Sequence, residues 1–185
     1  MGELVLVLGG IRSGKSAFAE RLAAASGGPV LFVATGQAGD AEMAARIAAH
    51  RARRRAYWTT IEAPLDPAPA IAAALGAARV VLLDCIGMLV TNVLLAEGEV
   101  GNAAGRLERA TRELVALVAE RNVQFIVVSA EGGLGLVPLS PLGRRYLDLL
   151  GDANQRLAAE AARVYLVVAG LAVDLRRRAA ESDLD

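Results

Sequence analysis

Five short apolar runs constrain the fold of this chain more than any other feature of its sequence. None of them alternates between apolar and polar residues, as a strand with one face in water would. They therefore predict strands that are buried on both faces of a mostly parallel sheet. The predicted strands are Leu4–Leu8, Val30–Ala34, Val80–Asp84, Gln124–Ser129 and Val164–Ala169.

Stretches with helical spacing separate these runs, which favours βαβ units and an α/β protein with a sheet between two helix layers. The predicted helices are Lys15–Ser26, Asp40–Arg55, Asn102–Arg121 and one that starts at Ser140-Pro141 and runs to Ala162. The nearly apolar segment Val80–Ala96 falls short of the roughly 20 residues of a membrane span. Because Asp84 and Asn92 also interrupt it, we interpret it as a buried strand followed by a buried helix.

The composition favours one globular domain over residues 1–185, with a polar tail from Arg176 that we expect to fray. Disorder is excluded, because 55% of the residues are hydrophobic and 22% are charged. A formal net charge of zero argues against a nucleic-acid-binding protein, which would carry a basic excess. Cys85 is the only cysteine, so no internal disulfide is expected and a cytoplasmic location is favoured.

The first predicted strand leads directly into a match to the phosphate-loop pattern G-x-x-x-x-G-K-[ST]. The matching segment is Gly9-Gly10-Ile11-Arg12-Ser13-Gly14-Lys15-Ser16. Its glycines let N–H groups turn toward phosphate oxygens, and the N-terminus of the following helix favours negative charge. Lys15 is expected to reach the β- and γ-phosphates, and the Ser16 hydroxyl to coordinate Mg²⁺. A chance match is the alternative, but its position between a strand and a helix argues against it.

Lys15 is also the only lysine among the 20 basic residues of the chain. A compact ammonium fits a phosphate cradle in which a planar guanidinium would not. A phosphate loop usually works with a carboxylate at the end of another strand, which holds the metal through water. Asp84 is the candidate here, and the alternative is that it is only a helix N-cap or a strand-end aspartate.

A second group of polar residues follows the strand Val30–Ala34. Arg46 and His50 lie four residues apart, on one face of the predicted helix. An arginine-rich run follows at Arg51, Arg53, Arg54 and Arg55. A neutral imidazole is a nucleophile near pH 7, and arginines could hold the charge of a phosphoryl group under attack. Spacing alone leaves two alternatives open: a packed or surface histidine, and a solvated arginine face.

Two further features are less specific. Glu62 follows Trp58-Thr59-Thr60, where a strand or loop would emerge, and taken alone it is an ordinary surface residue. The glycine-rich segment 131–138 follows the fourth predicted strand and so lies at the carboxyl edge of the sheet, where ligands of α/β proteins bind. It is either a flexible lid or a simple connection.

Together these stretches resemble the bifunctional adenosylcobinamide kinase/adenosylcobinamide-phosphate guanylyltransferase family of cobalamin biosynthesis. The resemblance spans nearly the whole chain. It is carried by the loop at 9–16, Ala34-Thr35 with Asp40, Glu42-Met43, Arg46-Ile47 and His50, Asp84-Cys85 with Val90-Thr91-Asn92, the segment Glu131–Pro138, and Asn154-Gln155-Arg156-Leu157-Ala158.

The resemblance implies a RecA-like P-loop NTPase fold, a three-layer sandwich that is often a homotrimer. It also implies two reactions that use ATP and GTP as substrates. The first phosphorylates the aminopropanol hydroxyl of adenosylcobinamide. The second transfers GMP from GTP to that phosphate through a covalent histidine intermediate, and yields adenosylcobinamide-GDP and pyrophosphate. His50 stands at the matching place, although Ala49 occupies the position where some relatives carry an adjacent histidine.

By the same resemblance, Lys15 and His50 are the catalytic candidates, and Ser16 and Asp84 the candidate Mg²⁺ ligands. The nucleotide contacts implied outside the phosphate loop are Ala34, Thr35, Gly36, Arg51, Ala52, Arg53, Arg54, Glu62 and Asp84. Two rival classes are a P-loop kinase for another small alcohol, in which His50 is inert, and a non-enzymatic nucleotide switch. The first predicts no covalent GMP, and the second predicts binding without transfer.

Overall fold

A seven-stranded sheet forms the centre of the computed structural model, which describes residues 2–53, 55–98 and 101–179. The side chains of Met43, Arg46, His50, Arg53, Arg178 and Ala179 lie outside that description. The strands are β1 (Glu3–Gly9), β2 (Val30–Ala34), β3 (Thr59–Glu62), β4 (Val80–Asp84), β5 (Gln124–Ala130), β6 (Arg163–Val168) and β7 (Leu171–Asp174). Their order is β3-β2-β4-β5-β1-β6-β7, and only the β6–β7 pair is antiparallel.

The predicted α/β class and mostly parallel sheet are confirmed, with the five predicted strands shifted by one residue at most. Ala169, which the prediction placed in a strand, lies instead in the turn before β7, with a φ of 51°. The sequence left β3 open as a strand or a loop, because this segment contains no apolar run. In the structure most of its residues are exposed. β7 alternates between exposed and half-buried residues, over too few positions to be recognised.

Seven helices accompany the sheet within the described ranges. They are α1 (Lys15–Ala25), α2 (Ala41–Arg53), α3 (Pro67–Ala74), α4 (Ile86–Glu97), α5 (Ala103–Glu120), α6 (Pro141–Glu160) and α7 (Leu175–Ala179). α5 and α6 begin at side-chain caps: Asn102 accepts a hydrogen bond from the N–H of Gly105 at 2.9 Å, and Ser140 from that of Gly143 at 3.1 Å. α3 was not predicted, and α2 ends two residues before the predicted Arg55.

One expectation about a chain segment is corrected. The tail from Arg176 was expected to fray, but residues 175–179 form α7, because Arg176 donates to the carbonyls of Ala158 and Ala159 at the end of α6. Residues 180–185 lie outside the described ranges. Of the two alternatives for Asp84, the helix N-cap is excluded, because Cys85 occupies the N-cap position of α4, whereas Asp84 does lie at the end of β4.

Helices cover both faces of the sheet, which explains why the strands do not alternate. On one face, Leu6 and Leu83 pack against α3, α4, α5 and α6, and on the other Val5 and Phe32 pack against α1. Truncating a fully buried leucine such as Leu83 would cost about 2–5 kcal/mol. No helix among the described residues is long and apolar enough to cross a bilayer, and the segment Val80–Ala96 divides into β4 and α4.

The parallel arrangement brings the carboxyl ends of the strands to one edge of the sheet. Ala34 at the end of β2 pairs with Glu62 of β3 on one side and with Asp84 of β4 on the other. Gly9 at the end of β1 pairs with Ala130 of β5, the strand between β1 and β4. Glu62, Asp84 and the residues that directly follow β1, β2 and β5 therefore lie along this edge.

Candidate nucleotide-binding site

The phosphate loop is a tight turn that joins β1 to α1. Arg12 and Gly14 have φ values of 57° and 92°, and the N–H of Ser13 donates to the carbonyl of Gly10 at 3.2 Å. A side chain at Gly9 is excluded, because its Cβ would lie 2.5 Å from Ser13 Oγ and 2.7 Å from the carbonyl oxygen of Val167. The segment Gly9–Gly14 thus turns back on itself and leaves backbone N–H groups at the start of α1.

The turn between β6 and β7 braces this loop from the side. The N–H of Gly170 donates to the carbonyl of Ser13 at 2.8 Å. A Cβ on Gly14 would come within 3.2 Å of the Cα of Gly170. Only glycine combines this close approach with the positive φ of position 14. The antiparallel hairpin, which the sequence did not predict, therefore holds the phosphate loop in shape.

Lys15 begins α1 and its side chain folds back over the loop. Its Nζ donates to the carbonyl of Gly10 at 3.1 Å, and its backbone N–H donates to Ser13 Oγ at 3.4 Å. The first turn of α1 contains no acidic residue that would oppose a bound anion. Ser16 is half-buried in the same turn, whereas Ile11 and Arg12 at the loop tip are exposed. The positive charge of Lys15 and the backbone N–H donors are therefore concentrated at the start of α1.

Beside the loop, Thr35 ties the end of β2 to the end of β4. The Thr35 hydroxyl donates to the carbonyl of Cys85 at 2.7 Å and accepts from the N–H of Cys85 at 2.8 Å. Its backbone N–H donates to the carbonyl of Asp84 at 3.3 Å. Thr35 is fully buried, so these bonds are shielded from water. Its role in the structure is therefore to fix the strand end that carries Asp84.

Asn92 extends this network to β3. Its Nδ2 donates to the carbonyls of Thr35 at 2.7 Å and Pro64 at 2.9 Å. Pro64 lies just after the end of β3, so one amide of α4 positions the segments that follow β2 and β3. Apart from the family resemblance, which gave it no role, Asn92 was only a polar interruption of an apolar segment in the sequence. That interruption is the signal that could have identified it, since buried polar side chains are normally hydrogen-bonded.

Asp84 is half-buried at the strand edge, next to Cys85. Burial, and secondly the negative charge of Asp84, raise the pKa of the Cys85 thiol to about 12, while the charge of Lys15 acts in the opposite direction. Both Asp84 and Lys15 thus act on one thiol, which indicates that they share this part of the edge. Cys85 itself is protonated at neutral pH and is not a nucleophile there.

Helix α2 is linked to this edge of the sheet through Arg51 and Ile47. Arg51 donates a charged hydrogen bond to Glu62 at the end of β3, and both side chains are more than half exposed. A Cβ on Gly36 would touch the side chain of Ile47 at 3.6 Å. Ile47 is the one half-buried residue among the described side chains of α2, and Ala52 is exposed with the rest. The face predicted for Arg46 and His50 lies outside the description, as do the side chain of Arg53 and all of Arg54.

The glycine-rich segment after β5 lies directly against the phosphate loop. The N–H of Glu131 donates to the carbonyl of Gly9 at 3.0 Å, and Glu131 Oε1 accepts from the N–H of Gly133 at 2.8 Å. Asn154 of α6 accepts from Ser129 Oγ at 2.6 Å and donates to the carbonyl of Ala130 at 3.0 Å. These bonds fix the end of β5 to α6. Sequence reasoning gave Ser129 and Asn154 no such part.

The sheet order, the phosphate-loop motif after β1 and the acidic end of β4 are those of a P-loop NTPase-like fold of the α/β class. Residues 5–175 match the family described as cobinamide kinase / cobinamide phosphate guanyltransferase. The chain belongs to this family.

Three bacterial relatives cover almost the whole chain. The bifunctional adenosylcobalamin biosynthesis protein CobP of Pseudomonas aeruginosa is 46% identical over 171 residues, which are 92% of this chain and 96% of that protein. The bifunctional adenosylcobalamin biosynthesis proteins CobU of Salmonella typhimurium and Escherichia coli are 39% and 38% identical over 181 residues. These residues are 94% of this chain and 99% of each relative, so the similarity is not confined to the phosphate loop.

Proposed function

We propose that this enzyme phosphorylates adenosylcobinamide with ATP or GTP and then transfers GMP from GTP to the resulting phosphate. The second product is adenosylcobinamide-GDP, and pyrophosphate leaves. The observation that carries the proposal is the phosphate loop, where Lys15 Nζ lies 3.1 Å from the carbonyl oxygen of Gly10 at the sheet edge that also carries Asp84. Membership of the cobinamide kinase / cobinamide phosphate guanyltransferase family supports the choice of substrate.

In the kinase step, the acceptor hydroxyl oxygen forms a bond to the γ-phosphorus, and the bond from that phosphorus to the β–γ bridging oxygen breaks. ADP or GDP leaves, and the hydroxyl proton passes to a base. The N–H groups between Gly10 and Lys15 and the Lys15 ammonium hold the phosphates in line for this attack. Positioning and charge stabilisation supply most of the rate acceleration in such transfers.

The residues at the site suit Mg²⁺. The Ser16 hydroxyl and the Asp84 carboxylate are hard oxygen donors, which Mg²⁺ prefers. No cluster of three or more His, Cys, Asp or Glu side chains occurs among the described residues. This agrees with an ion that takes one or two protein ligands and completes its shell with water and phosphate oxygens. When bound there, Mg²⁺ would neutralise charge on the phosphates; Ser16 would hold it directly, and Asp84 through water.

In the guanylyl transfer, we assign the nucleophile to His50 of α2. Its imidazole nitrogen would attack the α-phosphorus of GTP with loss of pyrophosphate, which leaves GMP on the ring. An oxygen of adenosylcobinamide phosphate would then attack the same phosphorus, form the diphosphate and regenerate the imidazole. His50 is the only histidine of the chain, so no second imidazole competes for this role. Arg51, Arg53 and Arg54 would hold the charge of the nucleotide.

We further infer that α2 moves between the two reactions, because both use the same phosphate loop. Its described side chains are exposed apart from the half-buried Ile47, and its ion pair from Arg51 to Glu62 is solvent-accessible. Gly36 and Gly39 precede the helix, and a Cβ on Gly39 would meet nothing within 4 Å. Glycines before a helix let the backbone change direction there, so α2 can be repositioned through this segment.

The enzyme is proposed to act as a homotrimer. The segment after β5 exposes a run of large apolar side chains, with Leu134 84%, Leu136 96%, Val137 76% and Leu139 97% exposed. Contiguous exposed apolar groups of this kind are typical of interaction surfaces. Light scattering during gel filtration tests the assembly, and a mass of one chain would contradict it.

Labelling with α-³²P-GTP tests the covalent step. The wild-type protein is expected to retain an acid-labile, base-stable label, and His50→Asn to lose it while still phosphorylating adenosylcobinamide. Label that persists in His50→Asn would contradict the assignment. A phosphorylated alcohol other than adenosylcobinamide, without covalent GMP, would favour the rival kinase. Tight nucleotide binding with no transfer would favour the switch.

A further inference from the structure

A cleft of about 290 Å³ lies beside the phosphate loop, on the face of the sheet opposite α1. Leu8 of β1 forms its floor, residues 131–133 form one wall, and the middle of α6 forms the other. It sits next to the phosphate loop, because Glu131 at its rim donates its N–H to the carbonyl of Gly9 at 3.0 Å. None of the roles assigned above to the phosphate loop, Asp84 or α2 uses this space.

Two glycines keep the cleft open. A Cβ on Gly132 would lie 2.6 Å from Leu147 Cδ2, so a side chain there would force Leu147 to shift within the wall of the cleft. Gly151 stands in the interior of α6, where glycine costs roughly 0.5–1 kcal/mol relative to alanine. A Cβ on Gly151 would meet nothing within 4 Å, so packing does not require glycine there. Its absent side chain leaves room in the cleft, which it lines.

The lining is mixed in chemistry. Leu8, Leu147, Leu150 and Ala158 supply apolar walls, and the polar groups are Glu131, Asn154 and Gln155. The Asn154 side chain is already bound to Ser129 and to the carbonyl of Ala130. Glu131 Oε1 accepts one hydrogen bond, from Gly133, and a carboxylate has further lone pairs to offer. A carboxylate repels phosphate, so the cleft suits a neutral group that donates a hydrogen bond.

We propose that this cleft binds the hydroxyl-bearing arm of the acceptor during the kinase step, with Glu131 accepting the hydrogen bond of its hydroxyl. This rests on the proposed function. As the oxygen attacks the γ-phosphorus and the nucleoside diphosphate leaves, the hydroxyl proton passes to the Glu131 carboxylate, which later releases it to water. The hydrogen bond from the Glu131 N–H to the carbonyl of Gly9 holds Glu131 beside the phosphate loop. Its carboxylate therefore belongs to a residue next to the loop that would hold the γ-phosphate.

The size of the cleft agrees with an arm rather than a whole corrinoid. Its volume lies just below the range of roughly 300–1,000 Å³ typical of pockets for whole ligands. A flexible amino alcohol chain fits that space, and the apolar walls match its methylene and methyl groups. The much larger corrin ring would remain outside, on the solvent side of Gly132 and Gly133.

Gly151→Leu tests the site, because leucine is a good helix former and its side chain would enter the cleft. We expect the KM for adenosylcobinamide in the kinase reaction to rise at least about tenfold. The Kd for a non-hydrolysable ATP analogue should stay within about twofold, and the unfolding midpoint should not fall. Ala159→Leu is the matched control, an exposed position of α6 outside the cleft, and should leave all three quantities at their wild-type values.

Glu131→Gln separates binding from proton transfer. The amide keeps the shape of the side chain and an oxygen that accepts from Gly133, but it is a poor base. We expect kcat of the kinase step to fall about 100-fold or more with a smaller change in KM. An unchanged KM in folded Gly151→Leu, or an equal rise in Ala159→Leu, would overturn the proposed cleft. If the wild-type protein phosphorylates no adenosylcobinamide, the proposed function itself fails.

Discussion

The amide of Asn92 holds two segments of the site at once, so its removal should affect the whole edge of the sheet. Asn92 is 6% exposed, and its Nδ2 donates to the carbonyls of Thr35 and Pro64. In Asn92→Ala both carbonyls lose their partner. A buried acceptor left without a partner costs about 1–3 kcal/mol, so the free energy of unfolding should fall by roughly 2–6 kcal/mol.

Thermal unfolding followed by circular dichroism measures this loss. For a chain of this size each kcal/mol corresponds to about 2–4 °C, so the midpoint should drop by at least about 4 °C. Thr91→Ala is the control at the neighbouring position, because the Thr91 hydroxyl donates only within α4, to Gly87 at 3.1 Å. Its midpoint should stay within about 3 °C of the wild type. Equal midpoints for Asn92→Ala and the wild type would refute the bridging role of the amide.

Three further predictions concern the site. Iodoacetamide should not alkylate native Cys85 at pH 8, because its pKa is raised to about 12, and mass spectrometry should find rapid labelling only after unfolding; labelling of the native protein would contradict this. The pKa of Cys85 in the folded protein lies above the ordinary thiol pKa of 9.0, so the protonated thiol stabilises the fold below pH 9. The free energy of unfolding should therefore decline as the pH rises from about 9 toward 12. A urea midpoint that stays constant over that range would contradict this prediction. Glu62→Gln should change the free energy of unfolding by less than about 1 kcal/mol, because the ion pair between Glu62 and Arg51 is exposed. It should nevertheless lower the yield of covalent GMP. A normal yield would show that Glu62 does not position α2.

Much of the fold could be predicted because its strands are buried on both faces. Strands covered on both faces, such as Val30–Ala34 and Val80–Asp84, need continuous apolar sequence, and their predicted bounds are those of β2 and β4. The phosphate loop could also be predicted from the sequence, because its geometry requires glycine at positions 9 and 14. In both cases local sequence and tertiary environment impose the same requirement.

Other parts could not be predicted because their residues depend on distant partners. β3 is defined by its pairing with β2 and not by any apolar run of its own. The bracing of the phosphate loop by Gly170 joins residues at opposite ends of the chain. The cleft beside Glu131 exists only because α6 lies against the end of β5, which no local pattern near Gly151 reveals.

The most direct test of the central proposal is a double-label experiment with the wild-type protein, adenosylcobinamide, Mg²⁺ and GTP. Thin-layer separation should show γ-³²P first in adenosylcobinamide phosphate, and α-³²P later in adenosylcobinamide-GDP, in an amount equal to the pyrophosphate released. The protein-bound α-label should appear before the second product and decay as it forms. Transfer of γ-label alone, or of neither label, would contradict the account that one phosphate loop serves both reactions.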